Sequence, residues 1–274
     1  MSLMPELPEV ESTRRGIERE ADGRRILELR IYDHRLRWPI EVAMPAQLAG
    51  QRIVSVGRRA KYLLLRLERG TVILHLGMSG SLRILPGQTP RLKHDQFDLL
   101  IESGQSLRFN DPRRFGSLHY STEDPEQHKL LRSLAPEPLE AKFDAEYLHR
   151  ITRRRRAAIK QVLMNGRLVT GVGNIYASEA LFRARISPRR GARRLSLADC
   201  ARLVRSVRAT LNAAIRAGGT TLRDYVGTDG DPGYFRQRLY VYERAGRRCR
   251  VCATAIRRIK QGQRSTYYCP SCQV

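Results

Sequence analysis

Leu63-Leu64-Leu65-Arg66-Leu67-Glu68-Arg69-Gly70-Thr71-Val72-Ile73-Leu74-His75-Leu76 reads as two strands joined by a tight turn. Leu63, Leu65 and Leu67 alternate with Leu64, Arg66 and Glu68, the period of a half-buried strand, and Glu68-Arg69-Gly70 supplies the turn. The same period recurs upstream, where Leu27, Leu29 and Ile31 alternate with Glu28 and Arg30. Further strands are predicted at 53–56, 81–85, 97–101 and 106–109. Ahead of them Val10, Thr13 and Ile17 mark a short helix from 8 to about 21. Many short strands with turn signals predict an antiparallel β-sandwich or barrel with flanking helices over roughly 5–125.

Pro136-Glu137-Pro138 ends this pattern and marks a linker. Helices are predicted at about 144–151, 154–165, 174–184 and 196–217. The last has Ser196 as N-cap and ends at Gly218-Gly219. It carries Leu197, Cys200, Leu203, Val204, Val207, Leu211 and Ile215 on one face, which makes Cys200 a buried core thiol. Residues 220–238 lack a clean period, and Gly227, Gly230, Pro232 and Gly233 make them a loop. The fold class expected is α+β, with a sandwich domain at 5–135, a helical domain at 136–238 and a small module at 239–274. Met1-Ser2-Leu3 reads as a leader before a natural start at Met4.

The small module contains Cys249-x-x-Cys252 and Cys269-x-x-Cys272, separated by 16 residues. Each pair puts two thiolates on one tight turn, and two such turns complete a tetrahedral four-sulfur shell for one structural Zn2+. Four Cys ligands leave no open position for a substrate. A disulfide framework fits less well, because no secretory leader is expected from the opening residues.

The formal net charge is +24, which calls for a polyanionic partner, and a hydrophobic fraction of 41% supplies a core. Lys61, Lys93, Lys129, Lys142, Lys160 and Lys260 are the only Lys among 51 basic residues, so most of the charge is Arg. Residues 240–274 alone carry eight basic side chains against Glu243. A zinc-held hairpin with that charge suits phosphate contact. No apolar run approaches the roughly 20 residues that span a bilayer. A monomeric, cytoplasmic, nucleoid-associated protein bound to nucleic acid is expected, with no membrane partner.

Four segments carry a more specific resemblance. They are Pro5-Glu6-Leu7-Pro8-Glu9-Val10-Glu11, Asp111-Pro112-Arg113-Arg114-Phe115-Gly116, Gly171-Val172-Gly173-Asn174-Ile175-Tyr176-Ala177 and the finger with Gln263-Arg264-Ser265-Thr266. In this order and spacing they resemble the bacterial formamidopyrimidine-DNA glycosylase family, which has an N-terminal β-sandwich, a helix–two-turn–helix and a C-terminal β-hairpin zinc finger. The resemblance implies a bifunctional glycosylase and abasic-site lyase of base excision repair. Its substrate would be double-stranded DNA containing oxidised purines (8-oxoguanine, formamidopyrimidines) or abasic sites.

The resemblance also implies roles. Pro5, freed by processing, is the amine that attacks C1′ and forms an iminium, from which β,δ-elimination cuts the strand. An α-amine titrates near 8, so a useful fraction is neutral at neutral pH. Glu6 is the acid that shuttles protons, with Glu9 close by. Lys61 is the β-hairpin lysine at the lesion, and His75 contacts phosphate. Met78, Arg113 and Phe115 enter the duplex to fill the gap left by an extruded nucleotide. Asn174 and Arg264 grip the flanking phosphates, Arg114, Lys160 and Tyr242 join the DNA-binding set, and the segment 220–234 closes over the base.

From the bare residues, Pro-Glu-Leu-Pro-Glu is an ordinary helix start, Lys61 an edge-strand charge, and Met78, Phe115 and His75 core side chains. In the chain as written Met4 precedes Pro5, whose nitrogen is then a tertiary amide with no nucleophilic lone pair. The chain is expected to bind DNA but to form no iminium until residues 1–4 are removed. Two rival readings share some of these features: an endonuclease VIII-like enzyme for oxidised pyrimidines, and a non-catalytic zinc-ribbon DNA-binding protein. Leu7 and the intact Arg113-Arg114-Phe115 favour the purine enzyme.

Overall fold

A computed structural model describes residues 5–219 and 239–274. Met1 to Met4 and the expected base-closing segment 220–234 lie outside the described residues. These residues form two compact units, 5–132 with 217–219 and 133–216 with 239–274.

The first unit opens with α1 (Leu7–Ala21), whose stripe Leu7, Val10, Thr13, Ile17 and Ala21 is buried. Its strands are β1 (Ile26–Ile31), β2 (Ile53–Arg59), β3 (Tyr62–Leu67), β4 (Gly70–His75), β5 (Ser81–Pro86), β6 (Asp95–Ile101), β7 (Gln105–Asn110) and β8 (Ser117–Ser121). They build two antiparallel sheets, ordered β1-β6-β7-β5 and β2-β3-β4-β8. Leu29, Phe97, Leu99, Leu107 and Leu82 from one sheet meet Leu65, Val72, Leu74 and Leu118 from the other around a narrow apolar void. This is the interior of a β-sandwich, as the alternation predicts. Leu64 points the other way yet is equally buried, because α1 packs against β2 and β3. Each sheet carries a bulge, at Ile26/Glu28 and at Ile53/Ser55, and an Arg25–Arg52 bridge joins them at that corner.

Two elements escape the sequence patterns. One is the short helix α2 (Met44–Leu48). The other is β8, whose Ser-Leu-His-Tyr-Ser is too polar to read as a strand but pairs with β4 from Thr71 to His75. The β3–β4 turn is as expected, with Leu67 opposite Gly70. Gly70 is obligatory, because a Cβ there would lie 2.6 Å from the carbonyl oxygen of Ser121.

The second unit contains α3 (Ala145–Thr152), α4 (Ile159–Leu163), α5 (Asn174–Arg183), α6 (Leu197–Arg216), β9 (Arg257–Gln261) and β10 (Arg264–Tyr268). Helix α6 has the predicted cap, with the Asp199 N–H donating to Ser196 Oγ at 3.1 Å and the Ser196 N–H to Asp199 Oδ2 at 3.0 Å. Cys200 is fully buried, and burial pushes its thiol up to about 11, as befits an inert core residue. Leu197 departs from the expected apolar face and is exposed. The helix expected at 154–165 is shortened to α4. The backbone groups of 155–159 instead bond to a neighbouring segment, through Arg193 N–H to Arg155 C=O, Ala192 N–H to Ala157 C=O and Ile159 N–H to Arg190 C=O. A residue bonded in that way cannot also serve a helical ladder.

One buried ion pair fixes the outer face of the first sheet. Arg108 on β7 is 1% exposed and makes two bonds of 2.7 Å to Asp98 on β6. It also donates to the carbonyls of Pro90 and Thr89 at 2.8 Å, pinning the loop before β6. Removing one partner of a buried pair costs about 3–5 kcal/mol. Asp98→Asn is therefore expected to lower stability by about that amount in urea unfolding, whereas replacing an exposed pair such as Arg30–Glu28 changes it by less than about 1 kcal/mol.

Candidate nucleic-acid interface and zinc centre

In the first unit Pro5 and Glu6 are buried at the start of α1, with Glu6 as N-cap. The Glu9 carboxylate accepts the Glu6 N–H at 2.9 Å, and Glu6 and Glu9 are 3% and 0% exposed. The helix-start reading of this segment is thus correct as local structure. It also puts two buried carboxylates beside Pro5, at the positive end of a 15-residue helix. Gly219, with φ +84, passes so close that a Cβ would sit 3.1 Å from Glu9 Oε1. The Gly218-Gly219 pair therefore does more than end α6: its second glycine makes room for the acid.

Lys61 sits at the tip of the β2–β3 hairpin, a two-residue turn in which Ala60 takes a φ of 54°. His75 closes β4, where its Nδ1 accepts the Gly77 N–H at 2.9 Å and its ring lies 4.7 Å from that of Tyr62. Burial and the charges of Lys61 and Arg37 lower its pKa to about 4, so the ring is neutral at pH 7.

Met78 and the Arg113–Phe115 loop are held side by side by a residue whose part the sequence did not reveal, Asp111. Its buried carboxylate accepts from Ser79 Oγ at 2.7 Å, the Arg113 N–H at 3.2 Å and the Gly116 N–H at 2.8 Å. Gly77 (φ +70) admits the second loop, since a Cβ would lie 2.4 Å from the Gly116 nitrogen. The result is a half-buried Met78, an exposed Arg113 and a 44% exposed Phe115, with the guanidinium 4.9 Å from the ring centroid. The core reading of Phe115 fails here, and an aromatic this exposed suits a contact surface. Arg114 takes a φ of 58° and pairs with Asp33 at 2.8 Å.

In the second unit a buried hub joins the helices to the finger. Lys160 on α4 donates to Asn174 Oδ1 at 2.6 Å, Thr266 Oγ1 at 2.8 Å and the Ser265 carbonyl at 3.2 Å. Asn174 Nδ2 in turn donates to the Tyr242 hydroxyl at 3.3 Å. Lys160 and Tyr242, expected at the DNA, are only 1% and 4% exposed. Asn174 is itself buried, at 9% exposed, and Lys160 and Tyr242 hold its side chain by these bonds. Glu179 on α5 was not expected at all. Its buried carboxylate accepts the N–H groups of Tyr240, Val241 and Tyr242 at 2.8–2.9 Å and so anchors the chain leading into the finger.

The finger is a β9–β10 hairpin with Arg264 exposed just after a Gly262-Gln263 turn, both φ positive. The sulfurs of Cys249, Cys252, Cys269 and Cys272 all lie within 4.8 Å of one another, with Cys249–Cys272 at 3.9 Å and Cys252–Cys269 at 3.4 Å. A Zn–S bond of about 2.3 Å sets the edges of a tetrahedron near 3.8 Å, so the four thiolates fit one zinc ion. Such a site holds the hairpin in shape. Phe182, Val241 and Ile256 pack with Cys249 and Cys269 as a small apolar core beneath it.

Comparison with known proteins agrees with these parts. Residues 4–118 match the formamidopyrimidine-DNA glycosylase N-terminal domain, 134–226 the H2TH domain of the same glycosylase, and 246–274 a zinc finger found in FPG and IleRS. The chain is 55% identical to the formamidopyrimidine-DNA glycosylase of Thioalkalivibrio sulfidiphilus, over 98% of this chain and 100% of that one. It superposes on MutM (Fpg) of Thermus thermophilus with a TM-score of 0.87 at 39% identity, covering 98% of each chain. The match to Lactococcus lactis Fpg, solved with abasic-site DNA, has a TM-score of 0.90 at 31% identity, covering 98% of this chain and all of that one. Sandwich, two-turn helix pair and four-thiolate finger together define a zinc-finger DNA repair glycosylase. The chain belongs to the formamidopyrimidine-DNA glycosylase family. Among the described residues no helix is long and apolar enough to cross a membrane.

Two outcomes follow. Burial also lowers His119 to about 4, with further lowering from His128 and Lys129. An unfolded His titrates near 6.5, so between about pH 6.5 and 4 the unfolded chain binds more protons than the folded one. The melting temperature should therefore fall as pH drops through that window, and it should fall less steeply in His119→Phe. Lys160→Met keeps the volume but removes the ammonium from Asn174. Lesion-duplex affinity should fall roughly 10-fold or more, in line with about 1–3 kcal/mol for unmet buried acceptors, with zinc content by metal analysis unchanged.

Proposed function

We propose that this chain is a bifunctional DNA glycosylase and abasic-site lyase that excises oxidised purines through Pro5. The observation that carries the reading is the burial of Pro5 beside the Glu6 and Glu9 carboxylates at the head of α1, on the unit that bears the Met78, Arg113 and Phe115 side chains. Once residues 1–4 are removed, Pro5 is a secondary amine. Its lone pair attacks C1′, and the glycosidic bond breaks with its electrons leaving on the base. The amine loses its proton, and opening of the C1′–O4′ bond with protonation of O4′ gives the iminium. Glu6 moves the protons that this exchange requires, and β,δ-elimination from the iminium then expels both flanking phosphates.

An enzyme acting at C1′ must take the nucleotide out of the stack. Met78, Arg113 and Phe115 fill the space it leaves, and Arg113 and Arg114 contact the duplex. Lys61 and His75 approach the lesion and its phosphates, His75 as a neutral hydrogen-bonding group. Asn174 at the start of α5 and Arg264 on the finger grip the flanking backbone. The substrate is double-stranded DNA bound by a monomer, and the zinc is structural. Lactococcus lactis Fpg has also been solved with DNA containing an oxidised pyrimidine. An endonuclease VIII-like range therefore stands as the second reading.

The test is borohydride trapping on a duplex with one 8-oxoguanine opposite cytosine, beside a duplex carrying an oxidised pyrimidine. The chain as written is compared with one beginning at Pro5 and with its Pro5→Gly and Glu6→Gln variants. A covalent band from the Pro5-initiated protein alone, faster on the purine lesion and lost or much reduced in Glu6→Gln, is the expected result. Tight binding with no band would mean a non-catalytic DNA-binding protein, and a faster pyrimidine reaction would favour the second reading.

A further inference from the structure

Ala60 carries a side chain at a place that suits glycine. It opens the Ala60-Lys61 turn, with Arg59 paired to Tyr62 across it, and its φ is 54°. L side chains rarely adopt that conformation, so the surrounding structure has to hold it. Lys61 is the next residue. Whatever fixes the Ala60 peptide therefore fixes the point from which the Lys61 side chain leaves the backbone.

Arg58 is the holder. Its Nη1 donates to the Ala60 carbonyl at 2.8 Å, and its Nε donates to Glu11 Oε2 at 3.2 Å. The two side chains are only 11% and 13% exposed, so water and salt screen the pair weakly. Glu11 belongs to α1, the helix that has Pro5 and Glu6 at its head. Arg14, one turn further along α1, grips the same carboxylate at 3.1 Å and donates to the Val56 carbonyl of β2 at 3.2 Å. Arg15 bonds Glu11 at 2.9 Å from an exposed position.

Two guanidiniums thus tie α1 to the β2–β3 hairpin, and one of them reaches the turn itself. Apolar packing is non-directional, and by itself it holds a helix on a sheet without setting their register. A planar guanidinium fork serves a carboxylate and a carbonyl together in fixed directions. The same end of the hairpin carries His75, which lies opposite Tyr62 on β4. Pro5, Lys61 and His75 are in this way referred to one frame.

We propose that Glu11 and Arg58 are positioning residues that set Lys61 relative to the Pro5 nitrogen through the Ala60 turn. The inference rests on the reading of Pro5 and Lys61 as groups that act at the lesion. In this role neither Glu11 nor Arg58 touches the substrate. A misplacement of about 1 Å near the reacting atoms costs on the order of 100-fold in rate. The clamp therefore acts on the rate of excision and little on duplex affinity.

The test compares the zinc-loaded, Pro5-initiated chain with Arg58→Met, Glu11→Gln and Arg15→Gln, each alone and combined with Lys61→Met. Single-turnover excision of 8-oxoguanine and duplex affinity are measured separately. Arg58→Met and Glu11→Gln should each slow excision by about 10- to 100-fold, with affinity changed by less than about threefold. In the Lys61→Met background neither should slow it further, because the clamp works through that side chain. Arg15→Gln removes a cation from the same carboxylate without touching the turn and should excise at the parental rate. Hydrogen exchange over 59–63 should quicken in Arg58→Met and Glu11→Gln and stay parental in Arg15→Gln.

Losses that persist in full in the Lys61→Met background would make the pair a general support of the fold. An equal loss in Arg15→Gln would reduce the effect to local charge, and parental excision in both clamp variants would remove the role. Each of these overturns the proposal. If Arg58→Met melts early, Glu11→Gln, which keeps the shape of the side chain, carries the cycle. If the parent itself excises nothing, the glycosylase reading fails on its own, and unchanged hydrogen exchange in the clamp variants is then the result that overturns the clamp.

Discussion

The ammonium of Lys160 sits in the interior of the second unit, and a cation there is tolerable only when its donors are fully used. Stripping water from such a group costs several kcal/mol, so its partners must be held in place. They come from separate parts of the chain: Asn174 at the head of α5, and Ser265 and Thr266 on the finger hairpin. The four thiolates hold that hairpin, and Glu179 holds the segment leading into it. Zinc coordination and the aim of Asn174 are thereby linked through one buried charge. A four-sulfur site that cannot touch substrate still governs a residue expected to touch phosphate.

The first unit solves a similar problem with an anion. Asp111 is buried, and its carboxylate is satisfied only when the Met78 turn and the Arg113–Phe115 loop lie together. Gly77 and Gly116 permit an approach that a side chain would block. Side chains proposed to fill a base-sized gap must be rigidly presented yet poorly packed before DNA arrives. A buried acceptor behind an exposed aromatic meets both demands. Arg108, held by Asp98, likewise stiffens the sheet from its outer face.

Much of this was legible in the residues. The alternation of Leu63, Leu65 and Leu67, the stripe of α1 and the capped face of α6 each report burial on one side of a regular element, and periodicity reads that directly. The two Cys-x-x-Cys pairs announce their metal because ligand spacing is a local constraint. Less local features were hidden. Strand β8 is polar because only its pairing partner makes it a strand. The helix expected at 154–165 was shortened by hydrogen bonds to residues far along the chain, which no window of sequence contains.

The sequence by itself determined most of the helices and strands and the finger, that the partner is polyanionic, and which residues resemble a glycosylase's working parts. Tertiary structure alone decided which of those parts face outward. Lys160, Asn174 and Tyr242 are buried together in one hydrogen-bonded hub, while Phe115 has the composition of a core residue and is exposed. Asp111, Glu179 and Gly219 became visible only once folding brought distant groups within a hydrogen bond or a van der Waals radius of them. Local periodicity reports how a residue sits on its own element. Whether its charge meets solvent, a partner or a neighbour's backbone is set by what the rest of the chain places opposite it.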